Sequence, residues 1–202
     1  PAPFLEADAA FLRRTVKEAV RKGHRRWVIS DVGHFALFSG FDLRREVTLI
    51  SDSYLYAFNM GALSVLSRMG ASRMVLPIEA PLSALRAVGK YLHGLGIAVA
   101  YASIPLMISR LVPAGGVRGG EVVSPRAERF TVEVDERGST LRPVRPFSAS
   151  GALHEIRAAG IQDFYVDVRD VPPQEIGAIF TALREDREIP DASTFNLFRG
   201  NF

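Results

Sequence analysis

The fold is decided by the stretch Ile97-Ala-Val-Ala-Tyr-Ala-Ser-Ile-Pro-Leu-Met-Ile-Ser-Arg110. Its first half is an apolar run with β-branched residues, which is typical of a fully buried strand and too short to span a membrane. Pro105 interrupts the run, and a polar tip at Ser109 and Arg110 follows. Open α/β sheets and barrels place their ligands where such strands end. This stretch therefore predicts a buried strand followed by either a ligand-binding loop or an ordinary exit loop.

Composition limits the classes of protein that the chain can represent. Its 202 residues, 48% of them hydrophobic, can form a full core. The absence of cysteine excludes disulfides and thiolate metal sites, and it is compatible with the cytoplasmic location that we expect. No apolar run approaches the roughly 20 residues of a membrane helix, so no membrane association is expected. The net charge of +3 does not by itself indicate a nucleic-acid partner.

Predicted strands and helices alternate along the first half of the chain. The predicted strands are 27–30, 47–52, 73–79 and the strand that begins at Ile97, and the predicted helices are 4–22, 54–69 and 81–93. The helix over 54–69 has one apolar stripe, which consists of Phe58, Ala62, Val65, Leu66 and Met69. Because this alternation is typical of βαβ units, we predict an α/β fold with a parallel sheet. Right-handed crossovers then bring the polar strand ends to one edge.

The pattern changes after Arg110. Residues 113–126 are rich in glycine, proline and arginine and predict a long loop. The segment 129–135 alternates apolar and polar residues, and 140–144 forms its returning partner, so a β-hairpin is predicted, with Pro143 keeping that partner at an edge. A helix near 150–159, a strand at 164–168 and a helix from 172 to about 187 resume the βα pattern.

Short motifs follow one another in a characteristic order. They are Asp52-Ser-Tyr-Leu-Tyr-Ala-Phe-Asn59, Met74-Val-Leu-Pro-Ile-Glu79, Ser103-Ile-Pro-Leu-Met-Ile-Ser-Arg-Leu-Val-Pro113, Phe130-Thr-Val132 with Asp135, and the tail 194–200. In type and order these motifs resemble those of the collagenase-like peptidases, the family numbered thirty-two among peptidases of unassigned mechanism. The resemblance covers roughly residues 4–200.

The resemblance implies a fold, a function and partners. It implies a partial (β/α) barrel with parallel strands and an inserted β-hairpin, since family members form a complete eight-stranded barrel of which this chain resembles the C-terminal half. It divides the chain into a half-barrel of βα units (1–112), a loop and hairpin insertion (113–147), and a final βα unit with a docking tail (148–202). The rest of a longer polypeptide, or another subunit, would cover the open sheet.

The resemblance also implies a hydrolase domain that lines a cleft for a peptide or protein substrate. The cysteines that are thought to hold an iron–sulfur cluster in the family are absent, and Val112 stands where the first would be. Leu197 is the nearest counterpart of the histidine in the family's tail motif. We therefore expect no cluster, no other cofactor and an incomplete catalytic apparatus, and whether the chain is an enzyme by itself stays open.

Residues at the predicted strand ends are the candidate site. His34, Asp52 and Glu79 are the catalytic candidates, because they follow successive strands. They would serve a Ser-His-Asp hydrolase or a three-ligand metal hydrolase, but neither a nucleophile elbow nor HExxH spacing is present. The alternative is helix capping by Asp52 and Glu79 and a backbone hydrogen bond from His34.

Four further residues are candidates for substrate binding, and Arg110 among them is the best candidate for an anion or a salt bridge. They are Asn59, Ser103, Met107 and Arg110.

A basic segment supports the alternative function, a non-catalytic binding or assembly domain, with RNA as a partner. Between Arg13 and Arg26 the first predicted helix and the residues after it carry a run of cations that can contact phosphates. The competing interpretation of this run is a solvated helix face. Steep weakening by salt would indicate phosphate binding, whereas a peptide cleft would respond to Arg110→Ala and Glu79→Ala and hardly to salt.

Overall fold

The structure is a computed structural model that describes residues 8–43, 45–92, 94–110, 119–125, 127–135 and 138–199. The chain divides into two compact units that alternate along the sequence. The first unit comprises Pro1–Val99, Glu155–Tyr165 and Asn196–Phe202, and the second comprises Ala100–His154 and Val166–Phe195.

Helices and strands alternate in the first half of the chain, as predicted. The helices are α1 (Ala9–Arg21), α2 (Met60–Arg68), α3 (Leu82–Leu92), α4 (Leu153–Ala158) and α5 (Pro173–Arg184), with 3-10 helices at Val32–Phe38 and Ser53–Leu55. The strands are β1 (Arg26–Ile29), β2 (Thr48–Ser51), β3 (Ala71–Val75), β4 (Gly96–Ala102), β5 (Met107–Ser109), β6 (Gly120–Val123), β7 (Arg129–Asp135), β8 (Gly138–Pro143), β9 (Phe147–Ser148) and β10 (Asp163–Val166).

The first unit is built on a parallel sheet. Its strand order is β1-β2-β3-β4-β10, and the pairs from β1 to β4 are parallel. Ile29, Ser51 and Met74 occupy paired positions on β1, β2 and β3, and all three are buried. The prediction of an α/β fold with a parallel sheet is confirmed.

Close packing joins α3 to the segment that follows α4. Gly89 is buried in α3, and a Cβ atom at this position would lie 2.2 Å from the backbone oxygen of Ala159. Only a residue without a side chain allows this approach. Arg73 of β3 adds an ion pair with Asp163 at 2.5 Å, which links two distant segments of the same unit.

The second unit contains an antiparallel sheet of order β5-β8-β7-β6. The predicted hairpin is confirmed as β7 and β8, which pair from Phe130↔Pro143 to Asp135↔Gly138. The prediction that Pro143 keeps its strand at an edge is wrong, since β8 lies between β5 and β7. Pro143 is tolerated there because β5 pairs with β8 only from Ser139 to Leu141, so among the described residues β8 has no partner on that side at Pro143.

The predicted loop over 113–126 is partly wrong. Residues 120–123 form β6, which pairs with β7, whereas residues 111–118 and 126 lie outside the described residues. The tip of the opening stretch is also a strand, since β5 pairs with β8 from Met107↔Leu141 to Ser109↔Ser139. Both strands are short, and hydrogen bonding to a neighbour determines them more than burial does.

A carboxylate from a distant segment caps the start of α4. Asp186 accepts hydrogen bonds from the backbone amides of Gly151 (2.8 Å), Leu153 (3.0 Å) and His154 (3.0 Å). Burial raises the pKa of Asp186, but the hydrogen bonds from His154, Leu153 and Gly151 outweigh it, so the pKa lies below its usual value.

Within the described residues, no helix has the length and apolar character that crossing a membrane requires.

Candidate strand-end site

Two carboxylates that follow β1 and β2 cap short helices. Asp31 accepts a hydrogen bond from the Gly33 amide at 2.7 Å, at the start of the 3-10 helix Val32–Phe38. Asp52 accepts one from the Ser53 amide at 2.7 Å and another from the Ser53 hydroxyl at 3.1 Å. Asp52 therefore caps a helix, as the alternative interpretation expects, because its Oδ1 atom accepts from the first amide of the 3-10 helix Ser53–Leu55.

His34 lies inside the first of these 3-10 helices. The backbone amide of His34 donates to the backbone carbonyl oxygen of Asp31 at 3.0 Å, and the His34 side chain is half-buried. His34 and Asp52 thus follow neighbouring parallel strands of one sheet, as the sequence predicts.

The predicted helix over 54–69 is interrupted. A 3-10 helix ends at Tyr56, which adopts a left-handed conformation (φ 48°), and α2 begins only at Met60. Asn59 is the N-cap of α2, and its side chain accepts from the Ala62 amide at 3.0 Å. The predicted role of Asn59 in substrate binding would compete with this cap.

The interruption exposes an aromatic pair. The rings of Tyr56 and Phe58 stack with centroids 6.2 Å apart, and the two residues are 48% and 38% exposed. The prediction that Phe58 and Val65 lie on the apolar stripe of one helix is wrong, since both are exposed. Leu66 of the predicted stripe is buried, and Leu63, which the prediction left out, is buried with it.

Glu79 is the most unusual carboxyl group of the candidate site. It follows β3 in a segment whose neighbours Ile78 and Ala80 are buried, and its own side chain is partly buried. Burial raises the pKa of Glu79, and a hydrogen bond from its own backbone amide opposes that shift only in part. Burial raises the pKa of Tyr56, and the charge of Glu79 raises it further. The two side chains therefore interact electrostatically.

Glu79 and the aromatic pair can each contact a ligand. A carboxyl group with a raised pKa can exchange a proton or accept a hydrogen bond from a ligand, and an exposed aromatic pair beside it offers an apolar contact surface. The sequence identifies Glu79 but not Tyr56, because the break in the helix is needed to expose the ring. The left-handed Tyr56 has no sequence signal, whereas Asn59 is a recognisable N-cap residue.

The other predicted site residues belong to the second unit. The backbone oxygen of Ser103 accepts a hydrogen bond from Arg142 Nη1 at 3.1 Å. Met107 is exposed in β5, and Arg110 is exposed directly after it. Sequence reasoning missed Arg142, which also forms ion pairs with Glu133 and Asp170 at 3.3 and 3.5 Å.

A metal site is not formed by the described part of the chain. Within it, no three side chains of histidine, cysteine, aspartate or glutamate lie close enough together to hold a metal ion. The three-ligand arrangement of His34, Asp52 and Glu79 is therefore not present in this structure.

Comparisons of the chain with protein-family models, with curated protein sequences and with solved structures found no significant match. The resemblance to the collagenase-like peptidases consequently depends on the sequence motifs, and the family and its activity stay predictions.

Proposed function

We propose that this chain is a substrate-cleft domain of a collagenase-like peptidase, and that Glu79 and the aromatic pair Tyr56–Phe58 contact the peptide. The observation that supports this most is the partly buried carboxyl of Glu79, whose raised pKa accompanies two exposed aromatic rings. The protonated carboxyl donates to a peptide carbonyl, and the ionised carboxyl accepts from a peptide amide. The rings contact apolar side chains of the substrate.

The parallel sheet would be part of a (β/α) barrel. Each strand from β1 to β4 lies beside the strand that precedes it in the sequence. A barrel has this order throughout, whereas doubly wound sheets reverse direction at a switch point. The edge strand β1 would then pair with the remaining half of the barrel, supplied by a longer polypeptide or by another subunit.

Fluorescein-labelled gelatin peptides test this function in an anisotropy titration of the full chain. We expect binding that is insensitive to salt and that weakens about fivefold or more in Glu79→Gln and Tyr56→Ala, because each change removes one side of the contact. Glu188→Gln is the matched control, since Glu188 is an exposed carboxylate of the second unit.

Three outcomes of this titration decide the proposal. Loss of binding in both site variants but not in Glu188→Gln supports the proposal. Absence of gelatin-peptide binding by the unmodified chain overturns it, and so does equal binding by all variants. Peptide fragments that appear in the same samples, and that disappear in Glu79→Gln, would extend the role of Glu79 to catalysis.

A further inference from the structure

A cavity lies in the first unit, beside the C-terminal half of α1. The cavity has a volume of about 450 Å³. Its walls come from α1 and the residues after it, from the turn at 39–41, and from Glu46. Three cationic side chains line it: Lys17, Arg21 and Arg25. Sites of this volume are typical for small molecules rather than for a polymer lying along a surface.

The cations of the cavity have few internal partners. Lys17 and Arg21 are one helical turn apart, so they repel each other and weaken the helix unless an anion lies between them. Among the described residues, neither has an ion-pair partner within 4.0 Å. The nearby acid Glu18 pairs with Lys22 instead, at 2.8 Å.

Glu46 is the one carboxylate among the described residues that line the cavity, and the backbone holds it in place. Glu46 Oε2 accepts a hydrogen bond from the Asp42 amide at 2.7 Å. Arg25 Nη1 contacts the backbone oxygen of Glu46 at 3.3 Å, not the carboxylate. Among the described residues that line the cavity, the cations therefore outnumber the carboxylates by three to one.

The negative dipole at the C-terminus of α1 does not cancel the positive charge of the cavity. A helix C-terminus is negative because its last carbonyl groups lack partners. Here the carbonyl oxygens of Glu18, Ala19 and Val20 accept from the amides of residues 22, 24 and 23, each at 3.0 Å. Capping of these carbonyls reduces their effect on an anion in the cavity.

One wall of the cavity is aromatic. Phe41 lines it and is tilted against Phe38 with ring centroids 6.3 Å apart, and Phe38 in turn packs edge-on against Trp27 at 5.3 Å. Gly40 precedes Phe41 with a left-handed φ of 96°, and it adds no side chain that would narrow the cavity. The cavity thus combines a cluster of cations with a flat apolar surface.

We propose that this cavity binds a small phosphorylated molecule with a planar ring, of the nucleoside monophosphate class. Its phosphate lies between Lys17, Arg21 and Arg25, where charge-assisted hydrogen bonds from arginine are strong and directional. Its ring lies against Phe41. The site is separate from the cleft at Glu79 and does not depend on the peptidase proposal.

Calorimetric titration of the full chain with AMP, inorganic phosphate and adenosine tests the proposal. We expect AMP to bind, phosphate to compete with it, and adenosine to bind much more weakly. Arg21→Ala should raise the Kd of AMP at least about tenfold. Arg13→Ala removes an equally exposed cation of α1 that does not line the cavity, and it should change the Kd less than about twofold.

A second variant is expected to strengthen the binding of AMP. A folding defect cannot mimic this result, because a misfolded chain would bind AMP more weakly. Glu46→Gln removes the one negative charge of the cavity while its side-chain oxygen can still accept from the Asp42 amide. We expect this variant to bind AMP more tightly than the unmodified chain. A change towards weaker binding would contradict the proposal.

RNA is the rival ligand, and a single-stranded 12-nucleotide RNA serves as its probe. If Arg13→Ala and Arg21→Ala weaken RNA binding equally and AMP does not compete, the basic surface is a diffuse contact for nucleic acid and the proposal is overturned. It is also overturned if neither AMP nor phosphate binds. Competition by AMP for a site that is lost only in Arg21→Ala supports it.

Discussion

Replacing Gly89 by alanine should destabilise the protein, although alanine is the better helix former. The new Cβ atom would lie 2.2 Å from the backbone oxygen of Ala159, which cannot rotate away as a side chain can. Overpacking of this kind costs up to about 3 kcal/mol, and the gain in helix propensity returns about 1 kcal/mol. The net effect is a loss of up to about 2 kcal/mol, which for a chain of this size lowers the Tm by up to roughly 4–8 °C.

Urea unfolding and thermal unfolding of the full chain measure this effect. Gly177→Ala is the matched control, because Gly177 lies inside α5 and a Cβ atom there would meet nothing within 4 Å. That variant should gain about 0.5–1 kcal/mol from helix propensity. If Gly89→Ala proves as stable as the unmodified chain or more stable, the close approach between α3 and Ala159 is refuted.

Three further predictions concern polar groups that are buried or partly buried. Asp186→Ala should cost about 1–2 kcal/mol at pH 7 in urea unfolding, because three amides lose their acceptor. Since the pKa of Asp186 is lowered by folding, its contribution is complete above the unfolded value of about 3.9 and is lost as the pH falls through the folded pKa; an equal cost at pH 7 and pH 2 would contradict this. Ser51→Ala should be neutral or stabilising by up to about 1 kcal/mol, because the buried Ser51 hydroxyl has no hydrogen-bond partner among the described residues, and a clear loss of stability would reveal one. Arg142→Met should lower the unfolding free energy by about 1–2 kcal/mol, whereas Glu133→Gln, at the exposed side of its ion pair, should change it by less than about 0.5 kcal/mol.

The parallel strands were predictable because burial determines them. β2 and β3 are short and contain buried apolar residues, Leu49 in β2 and Met74 and Val75 in β3. β6 was missed for the opposite reason, since all four of its residues are exposed and pairing with β7 alone defines it. No pattern of hydrophobicity records a strand that is held in place by its neighbour.

The candidate site was predictable in its residues more than in its geometry. Glu79 stands out because it follows a buried strand, but its raised pKa depends on how the segment around it packs. Tyr56 was not predicted as a site residue because its apolar neighbours fit one continuous helix. The sequence does not show that the backbone of Tyr56 adopts a left-handed conformation. Similarly, the cations of α1 are visible in the sequence, whereas the turn that places Phe41 opposite them depends on tertiary packing.

The alternation of the two units along the chain has a consequence for biosynthesis. β10 begins about 60 residues after β4 ends, so the sheet of the first unit cannot be completed until most of the second unit has been synthesised. At typical translation rates this leaves the edge of β4 without β10 for roughly 3–12 s. An uncovered edge strand can pair with other chains during that interval. While the ribosome translates residues 103–162, the nascent chain therefore carries a strand edge that is open to aggregation until β9 and then β10 pair with β4.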